Sequence, residues 1–189
     1  DMLRRQGNCW NDHLRPMLRE NGIRLLDPAD YTPAVLEYLQ THFTREIAPA
    51  LTPLAFDPGH PFPFISNLSQ NLAVVVKHAG KTRFARVKVP DVLPRFVPLP
   101  ASLARDGART FVYLEDVIRT NLSALFPGTQ VKGAHLFRVV RDADLVIQED
   151  EADDLLESID QGLKESRRGA LAMLQVEATA PRRVLDILV

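Results

Sequence analysis

The chain has 189 residues and a mass of 21.2 kDa, and 46% of its residues are hydrophobic and 25% are charged. This composition excludes a disordered chain and a fibrous repeat, and the length favours one packed domain. The formal charge of −1 creates no overall field that attracts nucleic acid or an acidic membrane. Any anion-binding site must therefore be local.

A single cysteine, Cys9, excludes an intrachain disulfide. The sequence contains neither a secretory signal pattern nor an apolar run of about 18 residues. These features predict a protein of the reducing cytoplasm that does not insert into a membrane.

Proline is the one unusual residue count, at 14. Nine of these prolines fall in two stretches, residues 49–63 and 90–100. Because proline fixes φ and lacks an N–H, both stretches are predicted to be extended connections that divide the chain into blocks.

An amphipathic helix is predicted at the start of the chain. Trp10, Leu14 and Met17 recur at helical spacing, and Asn21-Gly22 supplies a left-handed stop. Pro16 is expected to kink this helix or to begin its last turns. The chain starts at an aspartate inside this pattern, which suggests a piece of a longer protein; the alternative is a processed terminus or residues left by a cloning vector.

A second helix is predicted to begin at Thr32-Pro33, an N-cap followed by proline at the first helical position, and to end near Pro49. One stripe along this helix is predicted to be buried. Its members are Leu36, Leu39, Phe43 and Ile47.

A β-hairpin is predicted next. Residues 71–78 contain a β-branched run that is typical of a strand buried on both faces. Ala79-Gly80-Lys81 forms a short turn, and residues 82–89 then alternate between apolar and charged side chains.

The rest of the chain mixes strands with helices. The predicted elements are a short strand at 111–113, a helix at 114–125, strands at 134–140 and 144–148, a helix at 150–168, a strand at 170–178 and a helix opened by Pro181. This order predicts an α+β fold with a mixed, largely antiparallel sheet and flanking helices, preceded by an N-terminal helix.

Gly80-Lys81-Thr82 resembles the end of a phosphate-binding P-loop. Val75 stands where the first glycine of that motif belongs, and a strand follows instead of a helix. A hairpin turn is therefore the better interpretation.

Acidic residues and histidines are the candidate metal-binding or catalytic groups of the chain. Residues 149–154 are interpreted as the start of a helix rather than a cation site, and Asp142 and Asp144 as turn residues. The five histidines lack ligand spacing, and His60, in a proline-framed loop, is interpreted as structural or solvated. The residues thus predict no catalytic, cofactor-binding or metal-binding group in this chain.

Basic residues cluster along the predicted hairpin. Arg86 and Lys88 share one face, and the other members close in sequence are Lys77, Lys81, Arg83 and Arg95. A solvated strand face explains these residues, and the sharper alternative is a surface that guides an anion, because several cations on one polyanion release counterions. Aromatic residues near the cluster are sparse, so base stacking and a nucleic-acid partner are not expected.

Three stretches of the sequence resemble the family of long-chain polyphosphate kinases. The first, residues 51–73, includes Pro61-Phe62-Pro63-Phe64-Ile65-Ser66-Asn67 and resembles the family's proline-rich entry into its head domain. The second covers residues 84–97, and the third runs from 114–128 to 138–156. Their order and spacing match the family across nearly the whole chain.

The resemblance implies a place in a longer polypeptide. Residues 1–21 resemble the last helix of the family's N-terminal domain, residues 22–180 its head domain, and residues 181–189 the start of its first catalytic domain. In the family, the terminal phosphate of ATP passes reversibly through a phosphorylated histidine to a growing polyphosphate chain, with magnesium. That histidine belongs to the C-terminal domains, so no catalytic role is carried over to any residue here, His60 included.

The resemblance also implies a homodimer through the head domain, with a tetramer as a further assembly of the parent enzyme. ATP and magnesium belong to that parent, and this chain is expected to be an inactive scaffold that contributes to dimerisation. The hypothesis for its basic cluster is that Lys77, Arg83, Arg86, Lys88 and Arg95 help guide polyphosphate. The alternative is a stand-alone anion-binding or protein-interaction module without enzymatic activity.

Overall fold

A computed structural model describes residues 2–56, 64–104, 107–142 and 170–188 of the chain. The predicted strand at 144–148, the predicted helix at 150–168 and His60 lie outside these residues. None of the helices in the described ranges is long and apolar enough to cross a membrane.

Helices and strands alternate irregularly along the chain. The α-helices are α1 (Met2–Cys9), α2 (Arg15–Glu20), α3 (Pro33–His42), α4 (Leu114–Thr120), α5 (Leu122–Leu125) and α6 (Arg182–Leu188). The strands are β1 (Ile23–Leu25), β2 (Leu54–Phe56), β3 (Gln70–His78), β4 (Lys81–Lys88), β5 (Phe96–Pro98), β6 (Arg109–Tyr113), β7 (Gln130–Arg141) and β8 (Leu171–Val176). The predicted α+β class is confirmed.

The chain forms two compact units that are interleaved in sequence. The first contains residues 1–51 and 90–127, and the second contains residues 52–89 and 128–189. The chain passes from one unit to the other at three points in the sequence. Each of these crossings lies at or within two residues of a proline, namely Pro53, Pro90 or Pro127. Length alone favoured one packed domain, whereas the proline-rich stretches correctly marked two of the three crossings.

Two π-helical turns in the first unit each precede a proline. Trp10–Leu14 lies before Pro16, and Phe43–Ile47 lies before Pro49. In both cases the N–H of the residue that follows the turn, Arg15 or Ala48, donates to a carbonyl five residues earlier. A proline ring clashes with the carbonyl four residues before it, and a wider turn relieves that clash. Pro16 thus begins the final turns of the first helix, as predicted.

Helix α3 begins as predicted, because the hydroxyl oxygen of Thr32 accepts a hydrogen bond from the Val35 N–H at 3.3 Å. The predicted buried stripe contains one error. Leu36 is 43% exposed, and Val35 is the buried residue instead. Leu39, Phe43 and Ile47 are buried as predicted.

The first unit also contains a three-stranded sheet in the order β1-β6-β5, in which β1 is parallel and β5 antiparallel to β6. The sequence patterns predicted neither β1 nor β5. Pro98 is tolerated in β5 because an edge strand leaves one side of its backbone unpaired.

The helix predicted at 114–125 is divided into α4 and α5 at Asn121. The side-chain amide of Asn121 donates to the Val117 carbonyl at 2.9 Å. An asparagine that bonds to the backbone in this way competes with helix propagation, which explains the break.

The second unit is built on a five-stranded antiparallel sheet in the order β2-β4-β3-β7-β8. The predicted hairpin is confirmed as β3 and β4, and residues 71–76 of β3 are buried. Strand β7 starts four residues earlier than predicted, because a bulge at Lys132 lets it continue past Gly133. β2 lies in the first proline-rich stretch and was not predicted.

The core on one face of this sheet joins three of its strands to the C-terminal helix. Ala73 and Val75 of β3, Phe84 of β4 and Phe137 of β7 pack in one cluster with Val184 of α6. Each of these five side chains is less than 10% exposed. The sheet is therefore a rigid base for whatever its ends present to solvent.

The hairpin turn allows a stability test. Ala79 and Gly80 have φ of 47° and 79°, as in the two-residue turn that prefers glycine or asparagine at both positions. An alanine with positive φ destabilises the folded state by about 1–2 kcal/mol. Glycine removes this strain but loses more backbone entropy on folding, so only part of the stability is recovered. Ala79→Gly is expected to raise the free energy of unfolding by about 0.5–1 kcal/mol, measured by urea denaturation.

The matched control is Ala172→Gly on the exposed face of β8, where φ is not positive. This change is expected to lower the free energy of unfolding by about 0.5–1 kcal/mol. If both substitutions lowered it equally, the turn would not be strained.

Candidate functional site

Three of the exposed cations lie at the turn end of the β3–β4 hairpin. The strands pair Lys77 with Thr82 and His78 with Lys81, so the turn closes in two residues. Lys77, Lys81 and Arg83 are all exposed. The short turn keeps these three side chains on adjacent, hydrogen-bonded strands.

A fourth exposed cation, Lys132, joins this end of the sheet from β7. Gln130 pairs with Lys77 and Val131 with Val76, and Lys132 is the extra residue of the bulge that follows. Lys132 was not among the residues predicted from sequence. No local pattern marks it, because its position depends on the pairing of β7 with β3 across about 55 residues of chain.

The charged residues within the five described strands of this sheet all have the same sign. None of its five described strands contains an aspartate or a glutamate. They contain eight Lys or Arg residues, one in β3, four in β4 and three in β7. Such a surface attracts anions locally although the chain is almost neutral.

Arg86 is a structural residue in this sheet. Its Nε donates to Asn71 Oδ1 at 2.7 Å, and its Nη1 donates to the Phe64 carbonyl at 3.3 Å. The amide of the buried Asn71 in turn donates to the carbonyl and the hydroxyl oxygen of Ser69, both at 3.0 Å. Partial burial lowers the pKa of Arg86. This arginine anchors the loop that leads into β3.

A second arginine holds the same loop. Arg141 Nε donates to the Ile65 carbonyl at 2.9 Å, and its guanidinium lies 4.5 Å from the centre of the Phe64 ring. The Arg141 N–H also donates to Asn67 Oδ1 at 2.9 Å. Arg86 and Arg141 therefore fix residues 64–67 from two strands.

The remaining two predicted residues lie in different surroundings. Lys88 is partly buried and pairs with Asn71, at the end of β4 away from the turn. Arg95 belongs to the first unit, where its Nη2 donates to Glu115 Oε1 at 2.5 Å and its guanidinium lies 5.8 Å from the centre of the Tyr113 ring. The Glu115 side chain is only 6% exposed. Arg95 is thus the ionic partner of a buried carboxylate.

The segment that resembles a P-loop belongs to the hairpin, as predicted. Ala79 and Gly80 form its turn, and Lys81 and Thr82 begin β4. Residues 149–154 and Asp144 lie outside the described residues. Within the described ranges, no group of three or more His, Cys, Asp or Glu side chains is placed to hold a metal ion.

The fold and this site define an α+β protein with a cationic sheet end, and comparison with known proteins places it in a family. Residues 35–189 match the family described as "Polyphosphate kinase middle domain". The chain belongs to the polyphosphate kinase family, which confirms the resemblance found in the sequence.

Individual relatives agree with this assignment. The polyphosphate kinase of Aphanizomenon baltica is 45% identical over 96% of this chain, which corresponds to 49% of that relative. Those of Synechocystis sp. and Streptomyces coelicolor are each 44% identical, over 98% and 100% of this chain and 26% and 25% of their own lengths. This chain therefore spans about a quarter to a half of the relatives that it matches.

A solved structure shows the same fold. The crystal structure of polyphosphate kinase from Porphyromonas gingivalis superposes with a TM-score of 0.74 at 31% sequence identity. The match covers 96% of this chain and 25% of that chain.

The anchoring role of Arg86 can be separated from its charge. Arg86→Met removes the donor to Asn71 and to the Phe64 carbonyl, and the free energy of unfolding is expected to fall by about 1–3 kcal/mol. Arg83→Met, an exposed change on the same strand, is expected to stay within about 0.5 kcal/mol of the original. Urea denaturation of both variants makes the comparison, and equal effects would contradict the anchoring role.

Proposed function

We propose that this chain serves an enzyme that transfers the terminal phosphate of ATP reversibly to a growing polyphosphate chain. The support is membership of the family, together with relatives that are named polyphosphate kinases. Because the chain spans only part of those relatives, the activity is assigned to a longer polypeptide rather than to these 189 residues.

Within that enzyme the chain acts as a scaffold that contributes to a dimer and leaves catalysis to other domains. The phosphorylated histidine, the ATP site and the magnesium site are assigned to those domains. Glu115, a buried carboxylate of the first unit, is bonded to Arg95, and the exposed end of the large sheet is cationic, so neither place is proposed as the magnesium site.

The N-terminal helix supports the proposed domain arrangement, in which residues 1–21 end an N-terminal domain, residues 22–180 form the head domain and residues 181–189 lead into a catalytic domain. No residue of α1, the first π-turn or α2 is buried. The helix leaves four large apolar side chains exposed, Met2, Leu3, Leu14 and Met17. An apolar helix face of this kind is suited to packing against another domain.

The observation that carries a role in polyphosphate handling is that every charged residue within the described strands of the large sheet is a lysine or an arginine. A linear phosphate polymer that meets several cations releases counterions from each contact. The residues proposed to guide it remain Lys77, Arg83, Arg86, Lys88 and Arg95. Lys77 and Arg83 are exposed, and Arg86 is bonded to Asn71 and would act through its charge. Arg95 belongs to the first unit, where it is bonded to Glu115, so the charge of the sheet does not bear on it.

The second candidate is an anion-binding or protein-interaction module without enzymatic partners. The same cationic sheet favours it. The two candidates differ in whether the natural gene product synthesises polyphosphate.

An activity assay tests the proposal. The 189-residue chain is expected to give no ATP-dependent polyphosphate synthesis, and the full natural polypeptide is expected to give synthesis that depends on ATP and magnesium. Turnover by the 189 residues alone would contradict the scaffold role. Inactivity of a folded full polypeptide would favour the module.

A further inference from the structure

We infer that inorganic polyphosphate binds at one end of the five-stranded sheet, on a set of four exposed cations that we name the basic tip. Its members are Lys77, Lys81, Arg83 and Lys132. The identity of the ligand rests on the proposed function, whereas the site rests on the geometry of the sheet. This set replaces Arg86, Lys88 and Arg95 as the direct contacts and adds Lys81 and Lys132.

The eight cations of the sheet divide into two groups by position. The four exposed ones lie at the end where β3 turns into β4 and where β7 begins. The other four lie towards the opposite end of the sheet and are partly buried, namely Arg86, Lys88, Arg138 and Arg141. The exposed cations thus all lie at the turn end of the sheet, and the partly buried cations all lie away from it.

The partly buried arginines already donate to protein acceptors. Arg86 bonds to Asn71, Arg141 bonds to the Ile65 carbonyl, and Arg138 Nε donates to Gln175 Oε1 at 2.8 Å. A guanidinium that is committed to such bonds must break them to bind a phosphate directly. Within the part of the chain that the structure describes, no hydrogen bond or ion pair engages the side chains of the basic tip, so a phosphate can bind them without that cost.

The basic tip crosses three neighbouring strands. β4, β3 and β7 are adjacent, and strands in a sheet lie about 4.8 Å apart, so the cations span roughly 10 Å at their backbones. Lys77 and Arg83 lie on opposite faces of the hairpin, because Arg83 pairs with Val76 and neighbouring residues alternate. An extended polyanion that passes the tip meets several cations, whereas a single phosphate meets one or two.

A turn and a hydrogen bond connect the three strand ends of the basic tip. The two-residue turn joins β3 to β4, and His78 Nδ1 donates to the Gly128 carbonyl at 3.2 Å, which fixes the segment that leads into β7. The three strand ends that carry the cations are thus connected to each other. A preformed arrangement of this kind reduces the entropy lost when the polymer binds.

The chemistry of the tip favours polyphosphate over single-stranded nucleic acid. Binding without sequence preference to nucleic acid uses aromatic side chains on which bases stack. The aromatic residue of the hairpin, Phe84, is only 8% exposed and belongs to the core. Among the described residues at this end of the sheet (77–83 and 130–133), the exposed residues other than the four cations are His78, Ala79, Gly80, Thr82 and Gln130, and none of them is Phe, Tyr or Trp.

Titration of the 189-residue chain with long-chain polyphosphate over a range of NaCl concentrations tests the inference. By analogy with single-stranded nucleic acids, four contacts predict that log K falls with log[NaCl] with a slope of roughly −3, and each cation removed lowers its magnitude by roughly 0.7. Lys132→Gln should lower the magnitude of this slope by the amount expected for one cation. The variant with all four cations changed to Gln should lose binding. Arg45→Gln, an exposed change in the first unit, is the charge-matched control and should bind normally.

Two further ligands complete the experiment. Inorganic phosphate is expected to bind too weakly to compete at equal phosphate concentration, and an oligodeoxythymidine of equal charge is expected to bind at least tenfold more weakly than polyphosphate. Unchanged binding by the fourfold variant, or equal loss in Arg45→Gln, overturns the site. Equal affinity for the oligonucleotide overturns the ligand assignment.

The outcome is separable from that of the proposed function. Normal polyphosphate synthesis by the full polypeptide together with an inert basic tip would overturn this inference alone. Tight binding at the tip in a full polypeptide that makes no polyphosphate would overturn the enzymatic proposal alone.

Discussion

The pairing of β3 along both of its edges is the constraint on which the second unit depends. β3 bonds to β4 on one side and to β7 on the other, and residues 71–76 are buried. A strand buried on both faces holds charged side chains only where it leaves the core. Lys77 lies at that point. The pairing that buries the middle of β3 therefore also places the charged residue of this strand at the end of the sheet.

Basic residues have different surroundings at the two ends of the sheet. Near the start of β3, arginines from β4 and β7 meet the carbonyl groups of residues 64 and 65 and become part of the protein's own hydrogen bonding. Near the turn, the cations meet solvent. Whether an arginine is structural or available is therefore decided by the acceptors around it, and the charge alone does not distinguish the two.

Sequence patterns predicted the elements that local chemistry determines. Thr32-Pro33 begins a helix, Gly80 closes a hairpin, and the β-branched run of β3 is buried, each for a reason confined to neighbouring residues. The short strands β1, β2 and β5 were missed because three residues carry no periodic signal and are defined by their partners. For the site, Lys77 and Arg83 were found through their nearness in sequence, whereas Lys132 depended on long-range pairing. The structural role of Arg86 was also not predictable, because its acceptors, Asn71 and a loop carbonyl, are distant from it in sequence.

The inference with the widest consequence is that this chain of the polyphosphate kinase family presents a cationic sheet end to a phosphate polymer. Backbone amide chemical shifts of the isotope-labelled chain, followed by NMR as polyphosphate is added, test this claim most directly. Binding at the basic tip predicts chemical-shift changes concentrated at residues 77–83 and 130–133. Changes centred on residues 86–88 and 138–141, or confined to the first unit, would contradict it.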